Sequence, residues 1–177
     1  THPHVVHLQT RRANVQSVGE VPLTELVRAA MRMRPDRMVL GECRGAEVRE
    51  VLGALNTGHE GGWATVHANT ATDVPARLVA LGALAGMSSD TVAAQALSGL
   101  DAVVHVRRDA GRRRVAQLGV LGSGERGELV CRPALEIDAA GRLVRCAAWG
   151  RLAERLGPEP GAGSGAGSGP PVAGAAS

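Results

Sequence analysis

The sequence predicts an α/β fold, a mainly parallel sheet with antiparallel strands appended to it. Up to about residue 100, short apolar runs alternate with segments of helical period, as in layered folds built on parallel strands. Beyond Asp101 the helical period stops. Strand-like runs then follow one another between the turn-rich pieces DAGR and GSGERG, as in an antiparallel meander. A third observation concerns the core. Hydrophobic residues make up 44% of the 177-residue chain, yet Phe and Tyr are absent and Trp occurs twice. One domain of this length buries an ordinary core, but aliphatic layers of Ala, Val and Leu must fill it.

The elements follow in order. Residues 4–9 (HVVHLQ) read as a short strand. Over 22–33, Leu23, Leu26, Val27, Ala30 and Met31 recur at helical spacing, and Pro35 pushes Arg34 out of helical geometry. RMVL at 37–40 reads as a short buried strand, followed by Gly41 and Glu42. A helix over 46–56 places Val48, Val51, Leu52 and Leu55 on one face, with Gly58 at a C-cap position. Residues 62–68 form the next strand and 71–86 a helix carrying Val74, Leu78 and Leu81. Another helix spans 88–100, capped by Ser88 or Ser89. The meander comprises 102–106, 114–121 and 128–132, and a final strand covers 143–147. The folded unit is therefore 1–156. Residues 157–177, rich in Gly, Ala, Pro and Ser, are expected to be a disordered tail.

Composition restricts function. All 20 basic residues are Arg, so no Lys can complete a phosphate-binding loop, and the pattern GxxxxGK followed by Ser or Thr does not occur. The net charge of +3 owes much to Arg107, Arg108, Arg112, Arg113 and Arg114. That cluster suits an anionic surface, or is simply a solvated hairpin end. Three Cys without CxxC spacing give no zinc or disulfide framework and fit a reducing compartment. His2, His4 and His7 lack the acidic or Cys companions of a metal site. No apolar run approaches the roughly 18 residues of a membrane span, and the polar start is unlike a signal peptide. A first residue of Thr rather than Met points to a fragment.

Two polar residues stand out. Glu42 follows an apolar strand, where a rigidly held carboxylate can order a magnesium hydration shell or orient a water beside a γ-phosphate; it also reads as a solvated strand end. Gly41 offers a position without a side chain, which allows close approach. In the next strand, alternation places Ala64, Val66 and Ala68 on one face and Trp63, Thr65 and His67 on the other. Glu42 and His67 then share the C-terminal edge of a parallel sheet, where ligands of open α/β folds bind. His67 also reads as a core histidine satisfied by a backbone partner. His59, in the Gly-rich connection before that strand, is placed to contact phosphate or to hold the loop.

The run Arg32-Met33-Arg34-Pro35-Asp36-Arg37-Met38-Val39-Leu40-Gly41-Glu42-Cys43-Arg44-Gly45 resembles the Walker B region of type II/type IV secretion-system ATPases. Asn56-Thr57-Gly58-His59 through Thr65-Val66-His67-Ala68-Asn69 resembles their histidine box. PHVV at 3–6, the stretch 11–15 and the helix before RMRPD are similar to the tight-adherence (Flp) pilus assembly branch, and the likeness extends over about 3–121. The resemblance implies that 1–156 is the C-terminal part of a RecA-like motor domain and Glu42 the Walker B glutamate, meeting Mg²⁺ through its water. It further implies that His67 and His59 contact the γ-phosphate, while Arg11 reaches a phosphate within or across subunits. Arg32, Arg34 and Arg44 fall within the matched motif but are not assigned to the site. ATP and Mg²⁺ are the implied cofactors. The implied partners are family-like subunits in a homo-hexamer and an inner-membrane platform protein, at the cytoplasmic face of the membrane.

The departures bear on activity. The phosphate loop is not in this sequence, and the acidic box bearing the family's other catalytic Glu falls before Thr1. Cys43 stands where the family has an aliphatic residue. The leading expectation is the C-terminal portion of an ATPase that powers pilus assembly or protein export, inactive alone. The alternative is a non-catalytic or degenerate assembly subunit that docks on the machinery. Nucleic acid is not an expected partner, because no aromatic stacking platform lies beside the arginine cluster. An incomplete parallel sheet would leave an open edge, so marginal folding or aggregation is expected of the isolated chain.

Overall fold

A computed structural model describes residues 4–13, 19–57, 61–109, 111–138 and 140–157. The expected C-cap at Gly58 and the tail from 158 onward lie outside the described residues. Residues 4–9 are described but form no strand; the first pairing is an isolated antiparallel bridge between Arg11 and Val21.

Helix α1 (Leu23–Arg32) starts after Pro22 and buries Val27. It stops where Arg34 takes a left-handed conformation, φ 50°. Pro35 has no backbone N–H to continue the ladder. Strand β1 (Val39–Leu40) runs parallel to β2 (Trp63–Ala64), with Val39 opposite Trp63 and Leu40 opposite Ala64. Helix α2 (Val48–Leu55) joins them and buries Val48, Val51, Leu52 and Ala54. A 3-10 turn (Ala71–Asp73) leads into α3 (Val74–Leu84), whose first turn carries Pro75. In α4 (Ser89–Gly99), Ser88 accepts the Thr91 N–H at 3.2 Å, the expected cap.

The second half is antiparallel, in the order β3 (Val103–Asp109), β4 (Arg112–Ser123), β5 (Leu129–Ile137) and β6 (Leu143–Arg145). Among the described residues it forms a sheet of its own rather than an extension of the parallel pair. A further helix, α5 (Trp149–Leu156), follows β6. One face of the four-stranded sheet supplies Leu121, Leu129 and Cys131 to the main core, beside helices α1 to α4. The other face packs Val120 and Ala134 against Ala148 and Leu152 of the α5 segment. None of the buried residues in either cluster is aromatic. Among the described residues no helix is long and apolar enough to cross a membrane.

Helices α3 and α4 meet at Gly82, where an added Cβ would stand 2.2 Å from Val92 Cγ2. Val92 is fully buried, and a close-packed interior gives its methyl little room to move aside. Gly82→Ala gains about 1 kcal/mol of helix propensity but suffers an overpacking cost of about 1–3 kcal/mol. We expect a net lower urea midpoint. In the Gly82→Ala/Val92→Ala double variant the loss should be smaller than the sum of the single losses. Additive losses would contradict the close approach.

Candidate functional site

Strands β1 and β2 are two residues long, so their ends must be held by other ties. The Trp63 N–H donates to Met38 O at 2.8 Å, and the Cys43 N–H donates to Thr65 O at 2.8 Å. The Thr65 hydroxyl donates to Gly41 O. These bonds keep the two segments side by side beyond the strands. The expected alternation also persists there, with Ala64, Val66 and Ala68 turned to the main core and Trp63, Thr65 and His67 exposed.

Glu42 and His67 therefore meet. His67 Nε2 lies against Glu42 Oε1, and Arg44 Nη2 reaches Glu42 Oε2 at 2.6 Å. The His67 side chain is 76% exposed, which removes the core-histidine alternative; Glu42 is 26% exposed and partly covered. Its Oε1 is shielded from solvent and makes no hydrogen bond of regular geometry, His67 being its close neighbour. The hydrogen bond from Arg44 holds the Glu42 carboxyl below its ordinary value of 4.5, and the nearby His67 acts in the same direction. The site is thus a charged carboxylate held between a guanidinium and an imidazole at an open edge.

The loop after β1 is set by Glu47. Its Oε1 accepts the N–H groups of Arg44 at 2.7 Å and Gly45 at 3.0 Å. Burial opposes ionisation of Glu47, but the backbone N–H groups of Arg44, Glu47 and Gly45 outweigh it and lower its pKa. Cys43 points into the core, where burial pushes its thiol up to about 12. It is a packing residue and not a nucleophile.

Arg44 was legible in principle. Glu42 and Arg44 are two apart in an extended segment, a spacing that puts both side chains on one side. Arg11 is not brought to the pair by any described contact. Its backbone bridges Val21 and its Nε donates to Gly19 O at 2.5 Å. His59 lies outside the described residues.

The Glu42 environment predicts a pH response. Because the folded pKa lies below the unfolded one, the stabilising contact with Arg44 is fully present above about pH 4.5. It is lost as the pH falls through the lowered folded value. A carboxyl NMR titration should place Glu42 below 4.5, and Arg44→Ala should move it upward. An unmoved midpoint in Arg44→Ala would show that the contact is absent in solution.

Residues 3–132 match the family model described as type II/IV secretion system protein. The chain belongs to this family. A conjugal transfer protein of Mycobacterium tuberculosis is 56% identical over 125 residues, covering 70% of this chain and 36% of that protein. Type IV secretion system protein PtlH of Bordetella pertussis is 38% identical over 120 residues, covering 64% of this chain and 35% of PtlH. The chain thus spans about a third of the length of these secretion-family relatives. The VirB11 ATPase of the Brucella suis type IV secretion system, solved in complex with sulphate, superposes with a TM-score of 0.50 at 24% identity. That match covers 55% of this chain and 32% of that chain. The fold of the family member described here is thus a mixed α/β, RecA-like one.

Proposed function

We propose that this chain is the part of a secretion-family ATPase that bears the hydrolytic carboxylate, and that it acts once another segment or subunit supplies the phosphate grip. The observation that carries this reading is the meeting of Glu42, His67 and Arg44 at the open edge beyond β1 and β2. The donor set suits the task. Mg²⁺ in such sites takes one or two carboxylates together with substrate phosphates, and Glu42 is a single carboxylate. Among the described residues no cluster of three His, Cys, Asp or Glu could cage a metal alone. When bound, Mg-ATP would supply the phosphoryl group and its neutralising cation. Glu42 would orient the attacking water, His67 would donate from its imidazole to a developing phosphate charge, and Arg44 would keep Glu42 ionised.

The finer reading follows the family. The work would be pilus assembly of the Flp type or protein export, in a homo-hexamer docked on an inner-membrane platform protein at the cytoplasmic face. His59 and Arg11 would complete the phosphate contacts, Arg11 within or across subunits. The relatives' names, conjugal transfer and type IV secretion, support the export side of this reading.

The test compares two proteins. The 177-residue chain alone should not turn over Mg-ATP. A chimera in which it replaces the corresponding third of the mycobacterial conjugal transfer relative should hydrolyse Mg-ATP in a Glu42-dependent manner. A folded chimera with no turnover would favour the second reading, a non-catalytic assembly subunit.

A further inference from the structure

The outer face of the antiparallel sheet is chemically one-sided. The strand register places Val104, Val106, Val115, Leu135, Ile137 and Leu143 on the same face as Leu118 and Val120. The charged residues of the strands on that face are Arg108, Arg113, Arg132 and Arg145, with no Asp or Glu among them. The strand acids Asp109 and Glu136 fall on the opposite face. Among the described residues α5 packs over the Val120 and Ala134 end, while Val104, Val106, Val115 and Leu143 stay exposed and Leu135 and Ile137 are half-buried. Val106 remains 51% exposed and Leu143 67% exposed.

The hairpin beside this floor carries an unrelieved charge. Arg107 stands directly opposite Arg114, and Arg108 directly opposite Arg113. Like charges so placed destabilise a strand pair. Asp109 answers Arg114 at 2.8 Å and Arg107 at 3.5 Å, both on the inner face, so it does not relieve the outer pair. Arg108 and Arg113 thus stand side by side at the hairpin end of the apolar floor, with no strand carboxylate on their face.

Shape selects the occupant. A helix stands about 10 Å across, so α5 rises well above the sheet, and a flat bilayer cannot reach the floor beside it. Nucleic acid would meet aliphatic side chains there and nothing to stack on. A second helix fits, lying beside α5 on the same face. We propose that the open part of this face docks an amphipathic helix of a partner protein. Aliphatic residues of that helix meet Val104, Val106 and Leu143, and acidic residues along its margin meet Arg108 and Arg113. This surface does not depend on the nucleotide reading.

The test uses the full chain and a synthetic 18-residue helical peptide with Leu along one face and Glu along both margins. Fluorescence polarisation should give saturable binding, weakened at least tenfold by Val106→Asp and by Arg108→Glu. Both sites are on the surface, and an unchanged thermal midpoint shows that each variant is folded. Methyl NMR shifts should fall on Val104, Val106, Val115, Ile137 and Leu143. Equal binding of a peptide with Lys in place of Glu would overturn the proposal, as would shifts confined to other faces. Phosphatidylglycerol vesicles that perturb the same methyls while the peptide does not would assign the face to lipid and sink it. Concentration-dependent self-association that blocks the peptide through this face would assign it to a second copy.

Discussion

Replacing Glu42 by Gln in the active chimera is expected to lower kcat by about 10²–10³, with a smaller change in KM. The magnitude is that of removing a positioned catalytic base or an electrostatic donor. The amide keeps the shape of the side chain and loses its charge. The contact with Arg44 at 2.6 Å would weaken with it, so Arg44 would be free to turn away. Arg44→Ala should therefore lower kcat as well, by less, and should move the acidic limb of the pH–rate profile upward, because Glu42 loses the group that holds its pKa down. If Glu42→Gln retained full turnover, the hydrolytic role would belong to another residue. His67→Ala tests the other side of the carboxylate, and a loss of kcat without loss of fold would place the imidazole in the chemistry.

The largest expected stability effect lies in the main core. Leu81 of α3 is fully buried there with Leu52 and Val92. Truncation of a buried Leu to Ala costs about 2–5 kcal/mol, and the cost grows with the cavity that remains. Apart from Met38 and Met87, the buried residues of this core are Ala, Val, Leu and Cys, including Ala54, Ala71, Ala93 and Ala96. The short Ala and stiff Val side chains, such as Val92, cannot swing into a void, so Leu81→Ala should fall in the upper part of that range. Against a typical total of about 5–15 kcal/mol, this is a large share of the fold's stability. Leu84→Ala, on the exposed side of the same helix, should change stability by less than about 0.5 kcal/mol. Chemical denaturation measures both; equal losses would contradict the burial of Leu81 against the exposure of Leu84.

The helices were legible because their period is long enough to read. The apolar positions of α1 and α2 and the Ser88 cap of α4 all stand close to where spacing placed them. The parallel strands were legible as places but not as lengths. Expected over 62–68, β2 has two residues, because Thr65 and Cys43 tie the continuation together by single bonds rather than by a ladder. The run at 4–9 has strand composition but forms no strand. α5 was missed because its eight residues WGRLAERL begin soon after β6 and Leu152 is its one buried residue. That the meander makes a separate sheet could not be read from pattern, since alternation gives faces and not neighbours.

The site was half legible. Alternation and strand order brought Glu42 and His67 to one edge, and the structure places them in contact. Arg44 was set aside although its spacing from Glu42 contained the same information. Arg11 depends on long-range placement, which no local pattern encodes.

One feature of the parallel pair offers a built-in optical gauge. Trp63 is 61% exposed, directly across from the exposed Val39, on the side of β1 and β2 away from the main core. The other Trp, Trp149, packs against the smaller cluster under Arg145. In a Trp149→Phe variant, Trp63 becomes the sole emitter, and its spectrum reports the wetness of that surface. Whatever comes to lie over Val39 and Trp63 will shift the emission to the blue, so any such docking can be followed in real time without a label.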